Sequence, residues 1–322
     1  MGRDRILVIL GPTAVGKTDL SIDCALRFGG EVVSCDSMQL YRGMRIGSAM
    51  PTEEEQARVP HHLVGEIDPR EPFSAARFQT LARAAVRDIL DRGKLPVVCG
   101  GTGLYLNALL YDMDFSAPPR AGDQTRRMAL QDLAEREGPE ALHARLAALD
   151  PAAADRIHPH NIRRVIRAIE AAEGGQPLGD FSKDLSPVSY YDAVLVGLTR
   201  DRQELYDRID RRVDLMMDAG LAEEVQGLLN TGLTAEDISM KGIGYKEVIG
   251  FLHGEYDQAE AVRLIKRNTR HLAKRQMTWF KRLPGVTWYD LSGKSGGDSF
   301  VPAVRASKTQ ILEALAPAFG QK

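Results

Sequence analysis

Gly11, Gly16, Lys17 and Thr18 have the spacing of a phosphate-binding loop: a glycine, four residues, then glycine, lysine and a hydroxyl residue. They lie in VILGPTAVGKTDLS, between an apolar run and a helical pattern, which is the context such a cradle needs. There Gly11, Pro12, Thr13, Ala14, Val15, Gly16, Lys17 and Thr18 would wrap an anion. The amides of residues 13–18 would point inward, helped by the positive end of the following helix. Lys17 would supply a point charge to the terminal phosphate, and the Thr18 hydroxyl would ligate Mg²⁺. The competing reading is a glycine-rich turn with no ligand. The motif identifies a phosphate and leaves both the nucleotide and the reaction open.

The chain has no N-K-x-D to read guanine. Asp36 in VVSCDS closes an apolar strand immediately after the P-loop helix, so it would face the phosphate site across a short gap. That position suits a base acting on an acceptor better than a distant magnesium ligand. The alternative is that Asp36 caps the next turn. His61 and His62 in PHH tempt a metal assignment, but adjacent strand residues point to opposite faces and no cluster of Cys or carboxylates stands at ligand spacing; packing or hydrogen bonding is the expectation.

The elements that must position these residues follow from the apolar pattern. Residues 5–10 read as a buried strand, 17–28 as a helix, 31–36 as a second strand, 74–92 as an amphipathic helix with Ser74 as N-cap and Gly93 as its stop, and LPVVCGG as a third strand feeding a helix over 104–110. Strand alternating with helix predicts right-handed crossovers and a parallel sheet, whose ligands gather at the carboxyl ends of the strands. The P-loop, SCDSMQLY and GGTGLY converge there. Residues 116–187 then change character: Ala, Arg, Glu and Leu at helical spacing, no convincing strand, and a polar end in GDFSKDLSP. The fold expected is a P-loop-type α/β core, in two parts over 1–115 and 188–322, carrying an all-helical insertion over 116–187. In the second part DAVLVGL resumes the sheet; helices are expected over 202–217, 221–229, 245–252 and 257–282, a last strand over 286–291 and a last helix over 301–315. No internal repeat is visible.

Composition narrows the class. The 322 residues are 43% hydrophobic and 27% charged, close to soluble globular averages, with no apolar run long enough to span a bilayer, so no membrane partner is expected. Cys24, Cys35 and Cys99 are isolated and odd in number, which suits a reducing compartment, the cytoplasm by default. A net charge of −2 hides an asymmetry: between residues 261 and 282 stand Arg263, Lys266, Arg267, Arg270, Lys274, Arg275, Lys281 and Arg282, and no Asp or Glu. Arg263, Arg267, Arg270 and Lys274 recur at spacings of four, three and four, a cationic stripe beside Leu264, Ile265, Leu272 and Trp279 that suits the backbone of a folded RNA. The plainer reading is a solvated surface helix, which eight like charges without an acid would disfavour.

Nine segments resemble, in order, the bacterial tRNA dimethylallyltransferases, the adenosine isopentenyltransferase family: GPTAVGKT, SCDSMQLYRGMRIGSAMP, PHHLVGEIDP, FSAARF, PVVCGGTGLYLNALL, RIHPHNIRRVIRAIE, RIDRRVDLMMDAGLAEEV, KGIGYKE and RNTRHLAKRQMTWFKR, covering residues 8–282. The resemblance implies that the loop holds the diphosphate of dimethylallyl diphosphate, with Mg²⁺, and that the acceptor is N6 of the adenosine 3′-adjacent to the anticodon in tRNA. Asp36 would then be the base, with Thr102 its close partner, bonding the diphosphate or the amine, and also a candidate N-cap of the next helix. Arg208 and Arg212, four apart and on one helical face, resemble the family's pair near the diphosphate, beside Lys17; a solvated face is the alternative.

The same resemblance implies that the anticodon stem-loop is gripped by Asp36, Ser37, Met38 and Gln39, with Thr102; by Arg127, Arg163, Arg164 and Arg167 of the insertion; by Lys241, Gly242, Ile243, Gly244, Tyr245 and Lys246; and by Arg270, Lys274, Arg275 and Gln276 of the basic helix. Extruding an adenosine from its stack requires such contacts. Tyr41 or Tyr105 could add an aromatic face. Two residues depart from the pattern: Val15 stands where Ser is common, without consequence for a site built of backbone, and Arg163 where Gln is common. The chain is expected to act as a monomer. The rival readings are a P-loop kinase using ATP and a non-catalytic RNA-binding protein with a vestigial P-loop.

Overall fold

The computed structural model describes residues 3–111, 113, 124–175, 189–293 and 300–320. The chain divides into two compact units, one of Met1–Tyr111 with Ser189–Lys322 and one of Asp112–Val188.

In the larger unit the first part alternates strand and helix: β1 (Arg5–Leu10), α1 (Lys17–Phe28), β2 (Gly30–Cys35), α2 (Glu53–Arg58), β3 (His61–His62), α3 (Ala75–Asp91), β4 (Leu95–Gly100) and α4 (Gly103–Leu110). Ile6 to Leu10 are at most 1% exposed, as expected of a strand covered on both faces. α3 buries Phe78, Ala82, Val86 and Ile89, one face of an amphipathic helix, with Ser74 capping Arg77 N and Gly93 left-handed after its last turn. α2 is held by a capping box, Thr52 with Glu55, which the T-x-x-E spacing announces and the apolar pattern does not.

The smaller unit is wholly helical among the described residues: α5 (Gln124–Glu137), α6 (Pro139–Leu149), α7 (Pro151–Arg156) and α8 (Ile162–Glu173). They close around Leu130, Leu142, Leu146, Val165 and Ile169. The expected polar breaks SAPPRAGD and GDFSKDLSP lie outside the described residues.

The sheet resumes with β5 (Asp192–Thr199), followed by α9 (Arg202–Asp218), α10 (Leu221–Asn230), α11 (Tyr245–Leu252), α12 (Gln258–Phe280), β6 (Val286–Asp290), β7 (Val304–Arg305) and α13 (Lys308–Phe319). The helix expected over 301–315 is thus corrected: it starts at Lys308, where Ser307 and Gln310 form a capping box, and the residues before it extend to add an edge strand. All pairings are parallel and the strand order is β3-β2-β4-β1-β5-β6-β7. His61 and His62 sit on the short edge strand, where His61 Nδ1 meets Val59 O and His62 Nε2 meets Glu31, structural bonds and not a metal site.

Register decides what this sheet can do. Leu10 pairs with Gly100, and Gly100 with Cys35. The residues that leave these three strands, Gly11, Gly101 and Asp36, therefore start from one row, with about 4.8 Å between neighbouring strands. Gly100 is obligatory in that row, since an added Cβ would lie 2.1 Å from Cys35 O. Gly100→Ala is expected to lower unfolding free energy by about 1–3 kcal/mol through forced separation of β2 and β4, measured by denaturant titration.

Candidate active site

The P-loop leaves β1 at Gly11, where the backbone is left-handed (φ 150°) and a Cβ would strike Leu198 O at 2.6 Å. Ala14 is also left-handed (φ 63°), a strained state for a residue with a Cβ, and its carbonyl accepts from Arg208 Nε at 2.9 Å. Arg200 does the same for Val15, Nε to O at 3.0 Å. Two arginines thus hold the outer carbonyls, which turns the opposite N–H groups inward. The amides of Ala14 to Thr18 donate to no group among the described residues and form the open nest expected for an anion. Thr13 departs from the expectation: its N–H donates to Gln276 Oε1 at 2.9 Å.

Lys17 donates to Pro12 O at 2.8 Å and is pushed down to about 8 by burial, an effect opposed by Asp36 and reinforced by Arg212. Arg212 is likewise lowered by burial and supported by Asp36, with Arg208 as a further like charge. Lys17, Arg212 and Asp36 therefore act on one another within a single pocket. Burial holds the Cys35 and Cys99 thiols up, so both are neutral beside it.

Asp36 is half-buried, and its Oδ1 accepts from Met38 N at 2.9 Å, the turn-capping bond anticipated as the alternative. Oδ2 accepts no bond among the described residues, so capping and chemistry use different oxygens of one carboxylate. Thr102 occupies the N-cap position of α4, but its hydroxyl caps nothing there; Oγ1 accepts from Ser37 N at 3.1 Å. It ties the β4 loop to the β2 loop and stands between the P-loop and Asp36. Gln39 is bonded at both ends, to Ser34 Oγ and to Ala49 O, at 2.9 and 3.0 Å.

The reading of the basic helix is corrected. Arg263 pairs with Glu260, Lys266 with Asp214 and Arg270 with Asp210, so three of the eight positive residues are neutralised, two of them by acids on α9. Arg270 is committed to α9 and the expected unbroken stripe does not exist. Lys274, Arg275, Lys281 and Arg282 have no ion-pair partner among the described residues. Lys274, Arg275, Thr278, Trp279 and Arg282 line one groove of about 340 Å³.

Tyr245 is also corrected as an RNA contact. It is fully buried, its hydroxyl donates to Glu224 at 2.8 Å, and Glu224 also accepts from the amides of Arg45, Ile46 and Gly47. The neighbouring turn is held by buried Glu247, which accepts from Gly244 N and Asn268 Nδ2. Lys241 and Lys246 remain exposed, and Gly242 and Ile243 are half-buried. In the helical unit Arg163, Arg164 and Arg167 are exposed on the polar face of α8, and Arg127 makes a two-pronged salt bridge to Glu170. Sequence reasoning misses Arg200, Glu224 and Glu247 as site residues; only the placing of Arg200 just past a strand's carboxyl end could have signalled one of them.

The family model for IPP transferase matches residues 39–283, and that for isopentenyl transferase residues 4–63. The chain belongs to the IPP transferase family. A tRNA dimethylallyltransferase of Alkaliphilus oremlandii is 51% identical over 90% of this chain and 92% of the relative, and that of Bacillus subtilis is 47% identical over 89% and 91%. The tRNA isopentenylpyrophosphate transferase crystal structure from Bacillus halodurans aligns with a TM-score of 0.71 at 41% identity, over 98% of this chain and 97% of that one. A eukaryotic dimethylallyltransferase acting on tRNA gives 0.75 at 29% identity, over 90% and 74%. Membership of the IPP transferase family disfavours the kinase reading of the P-loop, because each of these relatives is named for prenyl transfer.

Inorganic pyrophosphate affinity should fall as pH rises through about 8, by up to about tenfold per pH unit, because Lys17 is charged below that value and neutral above it; Lys17→Ala should bind more weakly and lose this step. In filter-binding titrations, Lys274→Ala and Arg275→Ala should each weaken RNA binding and flatten the salt slope by roughly 0.7–0.9, whereas Arg270→Ala should chiefly cost stability by stranding Asp210.

Proposed function

We propose that this chain transfers the dimethylallyl group of dimethylallyl diphosphate to N6 of the adenosine 3′-adjacent to the anticodon in tRNA, releasing pyrophosphate. The observation that carries the reading is the register row, which sets Lys17 and the amide nest on one side of Thr102 and Asp36 on the other.

The chemistry is a substitution at an allylic carbon. As the C1–O bond breaks, negative charge accumulates on the leaving diphosphate, and the free amides of residues 14–18, Lys17 and Arg212 are prearranged to meet it. The N6 lone pair, drawn into the adenine ring, is a weak nucleophile; the free Oδ2 of Asp36 orients the amine and takes its proton as the C1–N6 bond forms. Thr102 bonds the diphosphate or the amine from between the two. Thr18 at the first turn of α1 offers one hydroxyl oxygen, and no group of three or more His, Cys, Asp or Glu assembles among the described residues. That donor set fits Mg²⁺, which keeps its waters and takes phosphate oxygens, and Mg²⁺ bound there would help neutralise the leaving group.

The acceptor would be gripped by exposed Lys241, Lys246, Lys274 and Arg275 and by Arg163, Arg164 and Arg167 of the helical unit. A cytoplasmic monomer fits this role, and no helix among the described residues is long and apolar enough to cross a membrane.

Labelled dimethylallyl diphosphate, Mg²⁺ and unmodified tRNA should yield label in the RNA; ATP-dependent phosphorylation of an acceptor in its place would overturn the reading. Asp36→Asn should lower kcat by about 10²–10⁴-fold with tRNA affinity kept within about threefold, in single-turnover assays and binding titrations.

A further inference from the structure

Among the described residues Gln276 is the one side chain that hydrogen-bonds to both glycine loops of the site. Its Oε1 accepts from Thr13 N–H at 2.9 Å and its Nε2 donates to Gly101 O at 3.0 Å. The amide has a fixed sense, because the P-loop partner is a donor and the β4-loop partner an acceptor. Gly101 is shaped to this contact: a Cβ there would lie 2.4 Å from Gln276 Nε2. One helical turn further on, the same pattern recurs. The indole of Trp279 covers Gly103, where a Cβ would come within 2.2 Å of the ring. Helix α12 therefore seats two residues, three apart, on the two glycines that flank Thr102.

The cationic groove adjoins this stretch, with Trp279 in its lining. Lys274 and Arg275 precede Gln276 directly, and Arg282 follows Trp279 by three residues. Helix α12 is 23 residues long with Ala261, Ile265, Ala273, Met277 and Phe280 buried, and it carries Lys274, Arg275, Gln276 and Trp279 on one continuous element. Lys274, Arg275 and Arg282 thus stand beside the element whose Gln276 bonds Thr13 and Gly101.

We propose that Gln276 is a positioning residue that couples the two substrates: seating of RNA on the cationic end of α12 is transmitted through its side-chain amide to the P-loop and the Thr102 loop, so that RNA and diphosphate each raise the affinity for the other. This rests on the prenyl-transfer reading above. It replaces the expectation that Gln276 binds RNA itself, since its amide is already committed to two backbone groups. The coupling is reciprocal by linkage and is expected at about fivefold or more.

The test measures the dissociation constant of inorganic pyrophosphate with Mg²⁺, with and without an unmodified anticodon stem-loop RNA, in the full chain. In the parent protein the ratio should be about fivefold or more. In Gln276→Met, of similar length and without either bond, it should fall to within about twofold of unity. Gly101→Ala keeps the glutamine but pushes it away, and should give the same loss of coupling. That variant decides the matter if Gln276→Met does not fold. A parent-like ratio in either folded variant, or a parent ratio of one, overturns the proposal. Absence of pyrophosphate or RNA binding by the parent protein would instead overturn the reading on which it rests.

Discussion

A single cross-strand row, Cys35–Gly100–Leu10, governs the site. Spacing between parallel strands is fixed by backbone hydrogen bonds and cannot be adjusted by side chains. Loops that leave three adjacent strands from one row must therefore share a narrow volume. The order is chemically apt, since the middle strand delivers Thr102, β1 the anion nest and β2 the carboxylate. The glycine at the centre permits the close backbone approach, since an added Cβ would meet Cys35 O.

Holding cations there has a cost, visible in the lowered pKa values of Lys17 and Arg212, both driven by burial. Asp36 offsets part of it for each. In the proposed reaction this arrangement would set positive charge at the leaving diphosphate and a carboxylate within reach of the amine proton. Ala14 adds backbone strain of about 1–2 kcal/mol, tolerated because Arg208 anchors its carbonyl.

Helix α12 shows why local charge is a poor guide to surface charge. Its sequence between residues 261 and 282 carries no acid, yet Asp210 and Asp214 come from α9, 60 and 52 residues earlier, to neutralise Arg270 and Lys266. The cations left without acidic partners cluster at the C-terminal end, beside Trp279 and next to the glycine loops. Packing has moved the positive surface from the length of the helix to the end that adjoins the chemistry.

Local pattern was enough for the elements and the phosphate loop. Apolar runs and 3.6-residue periodicity are properties of neighbouring residues, as is the glycine-lysine-threonine spacing, so β1, α1, α3, β5 and α11 were legible nearly to the residue. Nine ordered motifs carried the family and with it Asp36, Thr102 and the arginine pair. Which donors and acceptors are already taken emerges only on folding: Thr102 reaching Ser37, Arg208 holding Ala14, Tyr245 sealed against Glu224, and Gln276 spanning two loops. Each of these joins residues with no periodic relation, through hydrogen bonds that exist only once register and helix packing are set. A sequence shows what a side chain can bond, and the fold decides which of those bonds are still open to a substrate.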